Sequence, residues 1–195
     1  MRMLIMGPQG VGKGTQAKML AVRCNIPHIS TGDVFRANIA AGTELGRQVE
    51  SLINAGELVP DALTDRIVAD RLAQEDCAAG WILDGYPRTI EQVHALDAML
   101  EQHGHHIDVV LELRADYDEL IKRIHERAQI EGRADDNPEA VAERLQMYDK
   151  ETAPLLDLYR SRGLVVAVDS EDVIEDTQAS IIRHLKACGL PGVQV

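Results

Sequence analysis

Gly7-Pro8-Gln9-Gly10-Val11-Gly12-Lys13 fits the pattern G-x-x-x-x-G-K, and the residues on either side decide what the pattern means. Arg2 to Met6 reads as a short buried strand, and Thr15 to Arg23 has helical composition with neither Pro nor Gly. Strand, glycine-rich turn and helix in that order separate a phosphate-binding loop from a chance match. The glycines let successive backbone N–H groups curl around phosphate oxygens, and the following helix offers its positive N-terminal end. Lys13 is then placed to reach the β and γ phosphates of a nucleotide. Without those neighbours the same residues would read as an ordinary turn with a surface lysine.

Working outward, short apolar stretches at Pro27 to Ile29, Trp81 to Leu83, Ile107 to Leu113 and Gly163 to Val168 alternate with helical ones. Alternating β and α elements predict an α/β fold whose parallel sheet carries helices on both faces. In such sheets ligands gather beyond the carboxyl ends of the strands, where Gly7, Ser30, Asp84 and Asp169 fall. Asn137 before Pro138 predicts a capped helix start, and Thr89-Ile90-Glu91-Gln92 fits a capping box. With 195 residues, 45% of them apolar, and neither repeat nor obvious linker, a single domain over 1–195 is expected.

Composition removes several functional classes. A formal net charge of -12 argues against broad attraction to nucleic acid or anionic lipid, so an anionic substrate would have to be held by a local cluster of arginines. The longest apolar runs, such as Leu164 to Val168, are far shorter than the roughly 20 residues of a membrane-spanning helix. No signal peptide is expected either, because Met3 to Met6 is stopped at once by Gly7-Pro8. Cys24, Cys77 and Cys188 are scattered and form no C-x-x-C pair, which argues for a reducing cytoplasm and against a disulfide framework or structural zinc. His103, His105 and His106 around Gly104 read as an exposed loop.

The remaining chemistry lies in carboxylates and arginines. Trp81-Ile82-Leu83-Asp84 is an apolar strand that ends in a carboxylate, able at that place to hold Mg²⁺ through its water shell. Gly85 follows where a hydrolytic ATPase commonly has a second carboxylate to activate water, which favours transfer to an acceptor that brings its own oxygen. Gly85-Tyr86-Pro87-Arg88 turns tightly, so Arg88 sits where a guanidinium can grip a phosphate with two hydrogen bonds. Arg123, Arg127, Arg133 and Arg144 form a second basic set, and 123 with 127 share one helix face. Such a face would ordinarily pair with acids or stay solvated.

In the loop, Gly14 stands where Ser or Thr usually follows the lysine, and the hydroxyl comes one place later on Thr15. In this the chain closely resembles the adenylate kinase family, although Pro8-Gln9 replaces the small residue and proline that its members more often carry. Asp84 to Thr89 matches that family's D-G-[FY]-P-R-T signature, and the resemblance runs from about Arg2 to Leu185. It implies a cis peptide before Pro87, Arg88 and Arg36 on the AMP phosphate, and Thr31 near the adenine. It also implies that Glu57, Leu58 and Val59 line the base pocket, and that Gly85, Tyr86 and Pro87 belong to the AMP side. The ATP side is expected to take Gly10, Val11, Gly12, Lys13, Gly14 and Thr15, with Arg123, Arg127 and Asp172. Arg133 and Arg144 should reach the transferring phosphoryl and AMP, so Lys13, Arg88, Arg123, Arg133 and Arg144 are the expected catalytic set. Mg²⁺ is expected near Thr15 and Asp84.

Only five residues separate Arg127 from Arg133, which resembles the short-lid form of the family and lacks the insertion that carries a metal in some bacterial members, so no zinc is expected. Residues about 30 to 59 and about 126 to 136 are expected to be a mobile flap and lid on a monomer that binds ATP and AMP. Gln92 has two readings, as the capping-box partner of Thr89 or as a side chain that reads adenine, since an amide both donates and accepts. Two rivals remain, a UMP/CMP kinase, against which Thr31 and Gln92 speak, and an ATP-gated binding module without turnover.

Overall fold

The computed structural model describes residues 1–190, so the last five residues of the expected 1–195 span lie outside the described residues. Strands β1 (Arg2–Met6), β2 (His28–Ser30), β3 (Trp81–Asp84), β4 (Val109–Arg114) and β5 (Val165–Asp169) alternate with helices, as the α/β expectation requires. The sheet order is β2-β3-β1-β4-β5 and every neighbouring pair is parallel. Among the described residues the helices are α1 (Lys13–Cys24), α2 (Thr31–Ala40), α3 (Glu44–Ala55), α4 (Asp61–Leu72) and α5 (Ile90–Glu101). They continue with α6 (Tyr117–Glu131), α7 (Pro138–Met147), α8 (Ala153–Ser161) and α9 (Ile174–Ala187).

Side chains alternate across a strand, and β1 shows the result. Leu4 and Met6 join one apolar cluster with Val93 and Leu96 of α5 and Leu155 and Tyr159 of α8, while Met3 and Ile5 join another with Leu20 of α1 and Ile181 of α9. The central strand is therefore buried on both faces, which is why it reads as a continuous apolar run. Residues 31–67 gather around a third, separate cluster of Phe35, Val49 and Val59. Ile124, Val141 and Leu145 form a fourth between α6 and α7.

Element ends differ from expectation for local reasons. Helix α1 begins at Lys13 and not at Thr15, because Gly12 at φ 95° ends the loop in a left-handed conformation one residue earlier. Strand β2 covers His28–Ser30, not Pro27 to Ile29, since Pro27 contributes only its carbonyl, to the Ile82 N–H. Strand β4 starts at Val109, after Ile107, and β5 starts at Val165, because Leu164 N donates to Tyr159 O and so closes α8. The expected cap of α7 is present: Asn137 Oδ1 accepts from Ala140 N at 2.9 Å, with Pro138 next. His103, His105 and His106 are exposed. No described helix is long and apolar enough to cross a membrane.

Candidate active site

Strands β1 and β3 deliver the phosphate loop and Asp84 side by side, because Ile5 pairs with Asp84 in the parallel register. Above them opens a cleft of about 750 Å³. Six arginines, Arg36, Arg88, Arg123, Arg127, Arg133 and Arg144, line it together with Lys13, so side chains from α2, the β3–α5 turn, α6 and α7 meet in one place. Gly10, Gly12, Gly14, Thr15, Gly85, Tyr86, Pro87 and Asp172 also line the cleft. Thr31, Glu57, Leu58, Val59 and Gln92 line a smaller adjoining hollow of about 40 Å³, which shares Arg36, Arg88 and Arg144 with the cleft. Val11 lines neither and is fully buried, so a loop residue at that place has only its backbone to offer.

Five of the six arginines are paired with acids. Arg127 bonds Asp136 through Nε at 2.8 Å and Nη2 at 2.5 Å, and Arg144 Nη1 bonds Asp135 Oδ2 at 2.5 Å. Arg36 pairs with Asp33 at 2.5 Å and reaches Asp135 at 3.6 Å. Arg123 bonds Glu119 at 2.7 Å and the Ser170 carbonyl at 2.6 Å, and Arg133 bonds Glu131 at 2.5 Å. Among the described residues Arg88 has no carboxylate partner; its Nε donates to Gly85 O at 2.8 Å. Lys13 folds back on its own loop, donating to Gly7 O at 2.7 Å and Pro8 O at 2.9 Å.

Burial in the cleft disfavours the charged forms of three of these cations. Burial pushes the Lys13 ammonium down to about 8, with Asp84 opposing and Arg88, Arg144 and Arg127 adding to the fall. Burial likewise brings Arg144 down to about 10 and lowers Arg88. A cluster strained in this way is relieved by a polyanion, which is what a nucleotide phosphate chain is.

The Asp84 to Thr89 turn has the expected cis Tyr86–Pro87 bond. The capping box, by contrast, is only half formed. Thr89 Oγ1 accepts from Gln92 N at 3.3 Å, but the Gln92 side chain passes over the cap residue and accepts from Arg88 N at 2.7 Å. The reason is Asp61 at the start of α4, which takes Gln92 Nε2 at 2.7 Å and turns the amide oxygen toward Arg88. Arg88 is thus fixed at its N–H by Gln92, at its Nε by Gly85, and at its carbonyl by Thr152, whose hydroxyl donates at 3.0 Å from a π-helical turn, Tyr148–Thr152.

Several of these residues escape a reading of the sequence. Asp135 and Asp136 stand openly beside Arg133, and adjacent carboxylates in an arginine-rich segment are a signal that they hold those arginines. Asp61, Ser170 and Thr152 act from distant elements and carry no local signal.

Comparison with known proteins bears directly on this cleft. The family model described as adenylate kinase matches residues 5–164. This chain belongs to the adenylate kinase family. A relative from Bifidobacterium longum (strain NCC 2705), named adenylate kinase, is 58% identical over 186 residues, which cover 95% of this chain and 100% of the relative. The adenylate kinase of Kocuria rhizophila is 50% identical over 95% of this chain and 98% of its own, and that of Thermobifida fusca 47% identical over 96% and 99%. The family's matched region includes the phosphate loop, the Asp84 to Thr89 turn and all six cleft arginines.

Proposed function

We propose that this chain catalyses reversible Mg²⁺-dependent phosphoryl transfer between ATP and AMP, giving two ADP. The observation that carries the proposal is the convergence of Lys13 and six arginines on one cleft floored by the phosphate loop. ATP would lie along Gly10 to Thr15, with Val11 contributing backbone only, and beneath Arg123, Arg127 and Asp172. AMP would lie with its phosphate on Arg36, Arg88, Arg133 and Arg144, and its base in the hollow of Thr31, Glu57, Leu58, Val59 and Gln92. Gly85, Tyr86 and Pro87 shape the turn that holds Arg88.

Transfer of this kind asks for alignment and charge neutralisation more than for covalent chemistry. An oxygen of the AMP phosphate bonds the γ-phosphorus of ATP while the bond from that phosphorus to the β–γ bridging oxygen breaks, and ADP leaves from each side. The AMP phosphate is already an anionic nucleophile, so no protein base is required. Lys13, Arg88, Arg123, Arg133 and Arg144 would stabilise the charge spread over the transferring group, with Arg123, Arg133 and Arg144 released from the acids that hold them.

The residues for Mg²⁺ fit. Asp84 is nearly buried beside the first turn of α1, its Oδ2 3.8 Å from where a Cβ on Gly14 would stand, and His28 Nε2 approaches the same oxygen at 3.4 Å. With Thr15 in that first turn, one carboxylate and one hydroxyl face the place where phosphates would supply further oxygens. Asp84 and Thr15 would hold the ion, whose positive charge would help to neutralise the phosphates.

Water has to be kept out while the phosphoryl group moves, and residues about 30–59 and about 126–136 would close over the two nucleotides as flap and lid. The separate apolar cluster around Phe35 supports a flap that moves as a body. Arg36 and Asp135, 3.6 Å apart, link flap to lid across the cleft. Three free cysteines suit the cytoplasm.

The test is direct. Purified protein supplied with ATP, AMP and Mg²⁺ should form two ADP for each ATP consumed, and ATP binding without ADP formation would instead favour a nucleotide-gated binding module.

A further inference from the structure

Asp61, the first residue of α4, has no role in the scheme above, yet its carboxylate is used at both oxygens. Oδ1 accepts from Gln92 Nε2 at 2.7 Å and Oδ2 accepts from Thr89 Oγ1 at 2.8 Å. An ionised carboxylate only accepts, so the end of the Gln92 amide that faces Asp61 has to be the NH₂. The oxygen then points to Arg88 N, where it accepts at 2.7 Å. Flipping the amide would set its oxygen against a carboxylate and its NH₂ against an N–H, two repulsive contacts in a nearly buried place, since Gln92 is 3% exposed.

With the amide locked in one orientation, what remains of it is also fixed: one N–H and one acceptor direction. Gln92 lines the small hollow together with Thr31 and Val59. A free glutamine could turn either end to a base and would accommodate the amino edge of adenine and the keto edge of uracil alike; a locked one presents a single order of donor and acceptor, which matches only one of the two. We propose that Asp61 is a positioning residue that sets base choice by fixing the Gln92 amide, without touching the nucleotide itself. The proposal rests on the assignment of Gln92 to the AMP base under Proposed function.

A merely structural role for Asp61, tying α4 to α5, would show as lowered thermal stability with unchanged specificity. The experiment compares Asp61→Ala, Asp61→Asn, Gln92→Leu and the double variant Asp61→Ala/Gln92→Leu, below their melting temperatures, with AMP and UMP as acceptors. Asp61→Ala should raise the KM for AMP at least roughly tenfold, leave that for ATP within about twofold, and cut the AMP-to-UMP ratio of kcat/KM by at least roughly tenfold. Asp61→Asn keeps an oxygen for Gln92 and an NH₂ that the Thr89 hydroxyl can accept, so it should restore most of the AMP KM. In the Gln92→Leu background Asp61→Ala should change the ratio no further. If Gln92→Leu raises the AMP KM but Asp61→Ala leaves KM and ratio alone, or acts equally in both backgrounds, the proposal for Asp61 fails and the Gln92 assignment stands. If Gln92→Leu itself changes neither, the Gln92 assignment fails and the proposal falls with it.

Discussion

Gln9, in the phosphate loop, donates through Nε2 to Asp136 Oδ1 at 2.9 Å, joining the loop to the residue that holds Arg127. The link spans 127 residues of sequence, and Gln9 is 8% exposed. Its other amide atom, Oε1, is buried without a partner. Removing the side chain therefore loses one charge-assisted hydrogen bond and also one unpaired acceptor, while Asp136 keeps Arg127.

Gln9→Ala is accordingly expected to change stability by no more than about 1 kcal/mol. Gln9→Glu should do worse than Gln9→Ala at neutral pH, because it sets two carboxylates against each other. That repulsion needs both charges, so the loss is present at pH 7 and fades at lower pH as protonation removes one of them. Thermal melts of both variants at pH 7 and pH 5 check this. Equal melting temperatures at pH 7 would mean that the link is not made in solution.

Lys13 provides a pH dependence with a definite sign. Folding lowers its pKa from 10.5 to about 8, so between those values the unfolded chain holds a proton that the folded chain does not, and stability rises with pH there. Below about 8 the cost of the buried charge is present in full. Lys13→Met should therefore melt no lower than the parent at pH 7 while losing nearly all transfer activity, since one such transition-state contact is worth roughly 3 kcal/mol. In the parent, kcat/KM for ATP should fall as pH rises through about 8, while kcat at saturation persists to higher pH because bound phosphates restore the ammonium. A flat kcat/KM profile to pH 9.5, or a variant with more than a tenth of parental kcat, would remove Lys13 from its role.

Gly56 closes α3 with φ 80°, and a Cβ there would lie 2.5 Å from Ala140 O and 3.0 Å from Arg144 Cγ on α7. Gly56→Ala adds a left-handed strain of roughly 1 kcal/mol and a clash that is relieved when the flap moves away from α7. The expected result is a lower melting temperature and a KM for AMP raised several times more than that for ATP. Steady-state kinetics with each nucleotide varied in turn will show it, and equal rises in both KM values would contradict it.

What the sequence discloses about this protein depends on distance along the chain. The parallel α/β order was legible because each strand is a short apolar run and each turn after it is punctuated by Gly, Pro or a capping residue. The phosphate loop and the Asp84 to Thr89 turn were legible because every residue that defines them is contiguous. The hold of Asp136 on Gln9, or of Asp61 on Gln92, was not, because those partners meet only when the fold brings segments distant in sequence together. The Gln92 side chain shows the same limit in miniature. A local pattern matched a capping box, and a tertiary carboxylate redirected its far end.

Base choice tests the account most directly, because Lys13 and the cleft arginines can grip a phosphate whatever the base, and only the base pocket can tell adenine from a pyrimidine. Initial rates of nucleoside diphosphate formation with AMP, CMP and UMP as acceptors, at one saturating concentration of ATP and Mg²⁺, give the three kcat/KM values. A pocket whose polar groups match adenine leaves buried donors and acceptors unpaired against a pyrimidine, a penalty of several powers of ten where a site is built for one base. AMP should be preferred by at least roughly a hundredfold. Comparable turnover of CMP or UMP would contradict the assignment of Thr31 and Gln92 to adenine and identify the chain's acceptor as a pyrimidine monophosphate.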